Sequence, residues 1–154
     1  MREHKNFWDK NAGRYDRFMR KDRAAYDEMY VLIRPVVKAK TVLELATGTG
    51  LIAKHIVNAA AHIEPQPEKA LAEIRRVLKD DGVLIAPTFT HGNSTLRGRL
   101  KLFFMKLVGF PLNSRWSSAD YLAFLRQNGW TVRKSAVLKA SFPLTYAECV
   151  KPAV

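Results

Sequence analysis

The sequence predicts an α/β fold, and three stretches of the chain carry that prediction. In the first, the apolar run Val42–Leu45 leads into a glycine-containing turn and a helical pattern. In the second, an amphipathic helix starting at Pro67 is followed by a turn and the apolar run 83–86. In the third, residues 131–138 and 142–150 predict two strands joined by a short turn. Strands alternating with helices are typical of an α/β sheet, and the last two strands predict an antiparallel hairpin.

The first 40 residues are predicted to be largely helical. The helical pattern runs over residues 5–37, with an interruption at Gly13 and an end at Pro35. Its apolar contacts would come from Phe7, Trp8, Tyr15, Phe18, Met19, Tyr26, Met29, Tyr30, Leu32 and Ile33.

The turn after the first predicted strand is a candidate ligand site. A strand, a glycine turn and a helix together bring backbone N–H groups and a helix N-terminus up to a ligand. Gly48 and Gly50 let the backbone bend sharply and approach that ligand without a Cβ in the way. We therefore expect ligand binding between Glu44 and Gly50.

The remaining elements follow from short local patterns. Residues 58–64 could start a second strand, and the buried strand 83–86 is predicted to end at Pro87. In the segment 88–111, a basic amphipathic helix would lie on the protein surface, on a membrane or beside an apolar substrate. Ser117 is the predicted N-cap of a later helix that stops at Asn128-Gly129.

Composition bounds the class of protein. The chain has 154 residues, of which 47% are hydrophobic, and this predicts one globular domain. No apolar run is long enough to cross a bilayer, the N-terminus lacks a signal-peptide pattern, and Cys149 is the only cysteine. A cytoplasmic protein is the expectation, with Cys149 as inert packing in a late strand.

The chain is strongly basic. Its formal net charge is +12, and residues 82–154 carry 10 of the 26 basic but only 2 of the 14 acidic residues. A basic surface suits nucleic acid or an anionic membrane. Neither a zinc-finger spacing nor an RNA-recognition signature accompanies it, so nucleic acid binding is not expected.

The stretch Thr41–Val57 resembles the first motif of the class I S-adenosylmethionine-dependent methyltransferases. In that family the loop holds the methionine part of the cofactor, and an acidic residue helps to position its ammonium group. The resemblance implies that Glu44, Ala46, Gly48 and Gly50 hold S-adenosylmethionine. Ala46 stands where a glycine is more common.

Two further stretches resemble the same family. Residues 7–16 are similar to the N-terminal lid of the ubiquinone/menaquinone-biosynthesis type, in which an aromatic at the position of Tyr15 closes over the cofactor. A helix pair packed on the sheet by its aromatics explains Tyr15 equally well. Residues 67–89 closely resemble the helix and fifth strand of that group. The implied fold is a Rossmann-like methyltransferase domain that ends in a strand hairpin, with residues 1–40 as lid and 41–154 as core.

The chain is short for that family. After about residue 64, two βα units of roughly 50 residues are missing, given about 30 residues for a βαβ unit. Either they have been deleted or the sequence omits them. Glu64 is the one candidate to replace the ribose-binding carboxylate that such a segment normally supplies. We therefore expect weak cofactor binding.

No other chemistry stands out. The histidines His4, His55, His62 and His91 lack metal-ligand spacing, and no nucleophile elbow or carboxylate pair is present. No metal and no catalytic side chain is expected, since the sulfonium is already activated and methyl transfer relies on alignment of the acceptor. His91 follows the strand at 83–86, so it either contacts substrate, serves as a base or is a solvated loop residue.

The expected function is methyl transfer from S-adenosylmethionine to a small molecule, and the alternative is a non-catalytic remnant of the fold. Loss of the central strands would leave the edges of Val42–Leu45 and Val83–Ala86 without partners, and such edges tend to associate. We therefore expect a homo-oligomer. Light scattering tests this, because a monomer of 17.5 kDa at high concentration would contradict it.

Overall fold

The computed structural model describes residues 13, 17, 20–41, 66–91 and 116–152. The predicted first strand, the glycine turn, residues 58–64 and most of the segment 88–111 lie outside these residues. Within the described ranges the elements are α1 (Arg23–Val37), α2 (Pro67–Val77), β1 (Val83–Ile85), β2 (Thr88–Phe89), α3 (Ser118–Gln127), β3 (Thr131–Leu138) and β4 (Leu144–Val150).

The last strand, β4, lies in the middle of an antiparallel sheet. On one side it pairs with β1, from Val83 opposite Val150, and with β2, where Phe89 lies opposite Leu144. On its other side it pairs with β3 along the whole strand, with an irregularity between Val132 and Lys134. The predicted C-terminal hairpin is therefore confirmed. Because β1, β2 and β3 all run antiparallel to β4, they run parallel to one another.

The predicted strand before Pro87 is confirmed, since β1 ends at Ile85. A second, two-residue strand that the sequence does not predict, β2, begins at Thr88 and pairs with the same strand as β1. Proline has no N–H to donate to the ladder, which fits the break at residues 86–87. The N–H of Ala86, just before it, still donates to the carbonyl of Ala147 at 2.9 Å.

Both faces of β4 are covered, which explains why residues 144–149 are all buried. Side chains alternate between the two faces of a strand. One face packs against α1 in a cluster that includes Leu144, Tyr146, Tyr26, Met29 and Ile33. The other face packs against α2 and α3 in a cluster that includes Ala147, Cys149, Leu71, Tyr121 and Leu125.

Helix α1 ends at Val37, the last residue of the predicted helical range 5–37. Pro35, which was expected to close the helix, lies inside its last turn instead. Proline removes one backbone hydrogen bond there. Ile33 is buried in the core and Val37 packs against it, so tertiary contacts hold this turn in helical form.

The chain leaves α1 through a tight turn whose third residue is strained. Lys38 has φ −57° and ψ 123°, Ala39 has φ 59°, and the N–H of Lys40 donates to the carbonyl of Val37 at 3.1 Å. This is the geometry of a type II turn, which favours glycine at the position of Ala39.

Replacing Ala39 by glycine is expected to stabilise the protein. The left-handed conformation costs an L-residue about 1–2 kcal/mol, and glycine removes this cost. The greater conformational freedom of glycine in the unfolded chain reduces the gain by about 0.5–1 kcal/mol. Urea unfolding of Ala39→Gly should therefore give a free energy of unfolding higher by about 0.5–1 kcal/mol. The control is Ala24→Gly on the exposed face of the first turn of α1, which should lower it because glycine has more freedom in the unfolded chain. A loss of stability at both positions would contradict the turn.

The predicted ends of α2 and α3 are confirmed. Pro67 occupies the first turn of α2. Ser117 caps α3 with its hydroxyl, which accepts from the N–H of Asp120 at 3.1 Å, while the Asp120 carboxylate accepts from the Ser117 N–H at 3.3 Å. Asn128 ends the helix and Gly129 follows with φ 78°, a left-handed conformation suited to glycine. No helix among the described residues is both long and apolar enough to span a membrane.

Candidate functional site

Polar and aromatic side chains collect where β2 ends. In open α/β sheets, ligands bind at the carboxyl ends of the strands. The same edge of the sheet carries the carboxyl end of β3, the N-terminus of α3 and the turn that enters β4. We call the residues gathered there the mouth cluster: Thr90, His91, Trp116, Ser118, Phe142 and Thr145.

Three hydroxyl groups contact one another in the interior of the mouth cluster. The Thr90 Oγ1 lies 2.8 Å from Thr145 Oγ1 and 3.1 Å from Ser118 Oγ. Thr145 Oγ1 lies 2.9 Å from Ser118 Oγ, and Thr90 Oγ1 lies 3.2 Å from the carbonyl of Pro143. Thr90 and Thr145 are fully buried. The cluster therefore links β2, α3 and β4 at a single point.

Each hydroxyl of this network has a partner for its hydrogen. A hydroxyl can donate one hydrogen bond and also accept. Thr90 can donate to the carbonyl of Pro143 or to Thr145 Oγ1, Thr145 to Ser118 Oγ, and Ser118 to Thr90 Oγ1. None of the three donors is therefore left unsatisfied.

His91 is held on both sides. Its backbone N–H donates to the carbonyl of Trp116 at 2.7 Å, and its ring packs against Phe142 with 5.5 Å between centroids and a tilt of 54°. The residue is half-buried. Both interpretations of His91, as a residue that contacts substrate and as a solvated loop residue, stay predictions.

Aromatic rings form the wall of the mouth cluster next to α3. Trp116 stacks on Phe124 with 4.8 Å between centroids and lies 5.4 Å from the ring of Tyr121. The Tyr121 hydroxyl donates to the carbonyl of Ala86 at 3.0 Å, which anchors α3 to the link between β1 and β2. A half-buried tryptophan beside a half-buried histidine offers a partly apolar surface to a ligand.

A buried carboxylate fastens α1 to the same end of the sheet. Asp22 precedes α1, but its side chain does not cap that helix. Its Oδ1 instead accepts from the backbone N–H and the hydroxyl of Ser141, both at 2.8 Å. This contact joins the start of α1 to the turn between β3 and β4, next to Phe142. The sequence pattern at Asp22 predicts only helix and does not indicate this contact.

A second buried carboxylate belongs to the sheet. Glu148 is 3% exposed on β4; its carboxylate accepts from the Tyr146 hydroxyl at 2.7 Å and pairs with Arg133 at 3.1 Å. Burial, together with the hydrogen bond to Glu148, raises the pKa of Tyr146. Burial also raises the pKa of Tyr121. Both hydroxyls therefore stay protonated at neutral pH, and the two tyrosines are neutral structural groups.

Cys149 is inert packing, as its sequence context predicts. It is fully buried in β4, and burial raises the pKa of its thiol from 9.0 to about 12. A thiol of that pKa carries almost no thiolate at pH 7 to 8, so it is a poor nucleophile.

The thiol makes stability fall in alkaline solution. Because the pKa of the thiol is higher in the folded than in the unfolded chain, its contribution to the free energy of unfolding is fully present below pH 9. This contribution is lost as the pH rises toward 12. The loss attributable to Cys149 is about 2 kcal/mol by pH 10.5. Cys149→Ala should therefore be less stable than the natural chain at pH 8 by its lost packing, and the difference should shrink or reverse by pH 10.5. Urea unfolding at both pH values measures this, and a constant difference would contradict it.

Most of the predicted cofactor residues fall outside the described part of the chain. Tyr15, Glu44, Ala46, Gly48, Gly50 and Glu64 are in this group, so their roles stay predictions. Among the predicted site residues, His91 alone is described, and it lies at the expected strand end. Thr90, Ser118 and Thr145 were missed, although a threonine just beyond the predicted strand was a signal for the first. In the described ranges, no group of three or more metal-ligating side chains comes together.

Comparison with solved structures gives a coarse likeness to methyltransferases. The chain is similar to the methyltransferase CalO6, with a TM-score of 0.50 and 13% identity over 77% of this chain and 53% of that protein. It is also similar to mitomycin 7-O-methyltransferase MmcR, with a TM-score of 0.48 and 18% identity over 62% of this chain and 28% of that protein. No protein-family model and no curated protein matches the sequence.

The likeness to CalO6 supports a methyltransferase fold. At this identity it concerns the fold alone, and the chain spans about half the length of that protein. The described residues form a mixed structure of helices and strands around an antiparallel sheet.

Proposed function

We propose that the chain binds S-adenosylmethionine and transfers its methyl group to a small-molecule acceptor. The observation that carries the proposal is the antiparallel hairpin of β3 and β4 at the end of the chain. A strand hairpin in that place is how the sheet of the family resembled by residues 41–57 and 67–89 ends. The fold shared with CalO6 supports the same conclusion.

In this proposal the two ligands use different parts of the chain. Glu44, Ala46, Gly48 and Gly50 hold the methionine end of the cofactor, with Glu44 positioning its ammonium group. When bound, the cofactor supplies an activated methyl group on a sulfonium, so the chain needs no nucleophile of its own. The mouth cluster would bind and align the acceptor, because it lies at the carboxyl end of β2.

Alignment of the acceptor is the main catalytic task in this scheme. Holding two reactants in the reactive geometry removes much of the entropic barrier of a bimolecular step. The buried hydroxyl contacts make the floor of the mouth cluster rigid, as alignment requires. The half-buried rings of Trp116 and Phe142 would exclude water from one side of the acceptor.

Calorimetric titration with S-adenosylhomocysteine, the reaction product, tests the proposal. We expect saturable binding at one site per chain, with adenosine alone binding more weakly because it lacks the amino-acid end. The affinity should be low, since the sequence lacks the segment that normally binds ribose and adenine. An absence of saturable binding at millimolar concentration would favour the alternative, a non-catalytic remnant. The ubiquinone/menaquinone subclass, the missing segment and the homo-oligomer remain parts of the proposal.

A further inference from the structure

Thr90 is attached to the beginning of β4 through both its backbone and its side chain. Its N–H donates to the carbonyl of Pro143 at 2.8 Å, and its hydroxyl lies 3.2 Å from the same oxygen. Two contacts to one carbonyl fix the backbone and the side-chain rotamer together. Thr90 therefore cannot rotate without losing a buried hydrogen bond.

The other two hydroxyls hold Thr90 from α3 and from β4. Ser118 approaches it from the first turn of the helix, and Thr145 from the strand. Hydrogen bonds in a buried, low-dielectric setting are strong and reinforce one another. Side chains of this kind are costly to bury unless they are fully satisfied, and β-branched apolar residues would fill the same space more cheaply. A packing role alone does not require three hydroxyls here.

The residue that follows is His91, whose position depends on that of Thr90. The backbone of His91 is fixed by Thr90 on one side and by its own N–H bond to Trp116 on the other. Its imidazole rests against Phe142 at the carboxyl end of the sheet. The fixed backbone of Thr90 and His91 therefore holds a half-buried imidazole at the place where ligands bind in open α/β sheets.

We propose that Thr90 is a positioning residue for His91, and that the His91 imidazole hydrogen bonds a hydroxyl or amino group of the methyl acceptor. A nitrogen of a neutral imidazole can accept a hydrogen bond from a hydroxyl or amino group when it is unprotonated, and can donate one to it when it carries the proton. The inference rests on the proposed function, and it adds the acceptor class and the residue that orients the contact.

A matched pair of variants separates positioning from packing. Thr90→Ser keeps the hydroxyl and loses a methyl group, whereas Thr90→Val keeps the volume and loses the hydroxyl. The readout is the imidazole C–H resonance of His91 by NMR, assigned by its absence in His91→Gln. We expect the resonance of Thr90→Ser to match that of the natural chain and the resonance of Thr90→Val to be displaced. The same resonance in both variants would overturn the positioning role.

Small aromatic probes test the acceptor contact. Phenol and aniline carry the proposed group, and anisole has the same ring with the oxygen methylated. With saturating S-adenosylhomocysteine, phenol and aniline should shift the His91 resonance more than anisole does. Thr90→Val should weaken phenol binding about tenfold, as expected for one hydrogen bond, and Thr90→Ser should not. Equal shifts from phenol and anisole, or no shift from either, would overturn the acceptor contact.

Two further measurements keep the outcome clear. If Thr90→Val fails to fold, Ser118→Ala is the substitute, because it removes the contact of Ser118 with Thr90 at the half-buried start of α3. It should displace the His91 resonance in the same direction as Thr90→Val, but by less. No displacement in a folded Ser118→Ala would overturn the inference. Failure of S-adenosylhomocysteine to bind would refute the proposed function instead, because the comparison of Thr90 variants needs no cofactor.

Discussion

Gly48→Val is expected to abolish S-adenosylmethionine binding while leaving the fold intact. In the proposal, Gly48 lies at the closest approach of the turn to the cofactor, where a branched side chain would push the ligand away from the backbone N–H groups. Loss of one or two such contacts, at about 1.5–3 kcal/mol each, lowers the affinity by one to four powers of ten. Calorimetry measures the affinity, and circular dichroism reports whether the chain is folded.

Gly13→Ala is the control for this experiment. Gly13 is exposed, and a Cβ at this position would meet no atom within 4 Å, so binding should be unchanged. Glu44→Gln is a second test of the same turn, because it removes, with little change in volume, the charge that is proposed to position the ammonium group. Equal affinity in Gly48→Val and the natural chain would remove the turn from the site.

Truncation of the core on either face of β4 is expected to cause the largest loss of stability. Met29 in α1 and Leu125 in α3 are both 0% exposed, and they belong to the clusters on opposite faces. Replacing either by alanine should lower the free energy of unfolding by about 2–5 kcal/mol, since it removes apolar contacts and leaves a cavity.

Val31→Ala is the matched control for Met29→Ala. Val31 lies in the same helix but is 68% exposed, so its truncation should change the free energy of unfolding by no more than about 0.5 kcal/mol. Urea unfolding measures all three variants. A small effect at Leu125 with a large one at Met29 would show that α3 does not cover the sheet as described.

Local chemistry made several elements predictable from the sequence. Pro67 at a helix start, the Ser117 cap and the Asn128-Gly129 stop all act through hydrogen bonds within a few residues. Their outcome therefore depends little on the rest of the fold. The two final strands were predictable for a similar reason, because β-branched and apolar residues are bounded there by turns.

Tertiary contacts decided what the sequence could not predict. Pro35 lies inside the last turn of α1, which the core packing of Ile33 keeps helical, and the unpredicted strand β2 after Pro87 forms by pairing with β4. The three hydroxyl contacts of the mouth cluster could not be predicted for another reason. Thr90, Ser118 and Thr145 are as much as 55 residues apart in sequence, and only the folded sheet brings them together. The buried Asp22 contact with Ser141 spans 119 residues.

Photolabelling tests the central claim most directly. Irradiation of the chain with methyl-labelled S-adenosylmethionine, followed by trypsin and mass spectrometry, locates the bound cofactor on the sequence. Cleavage after Lys40 and Lys54 releases the predicted turn as the single peptide 41–54. We predict that label appears in this peptide and disappears when S-adenosylhomocysteine is added in excess. Label confined to other peptides, or unchanged by the competitor, would contradict the proposal that this chain binds the cofactor through the glycine turn.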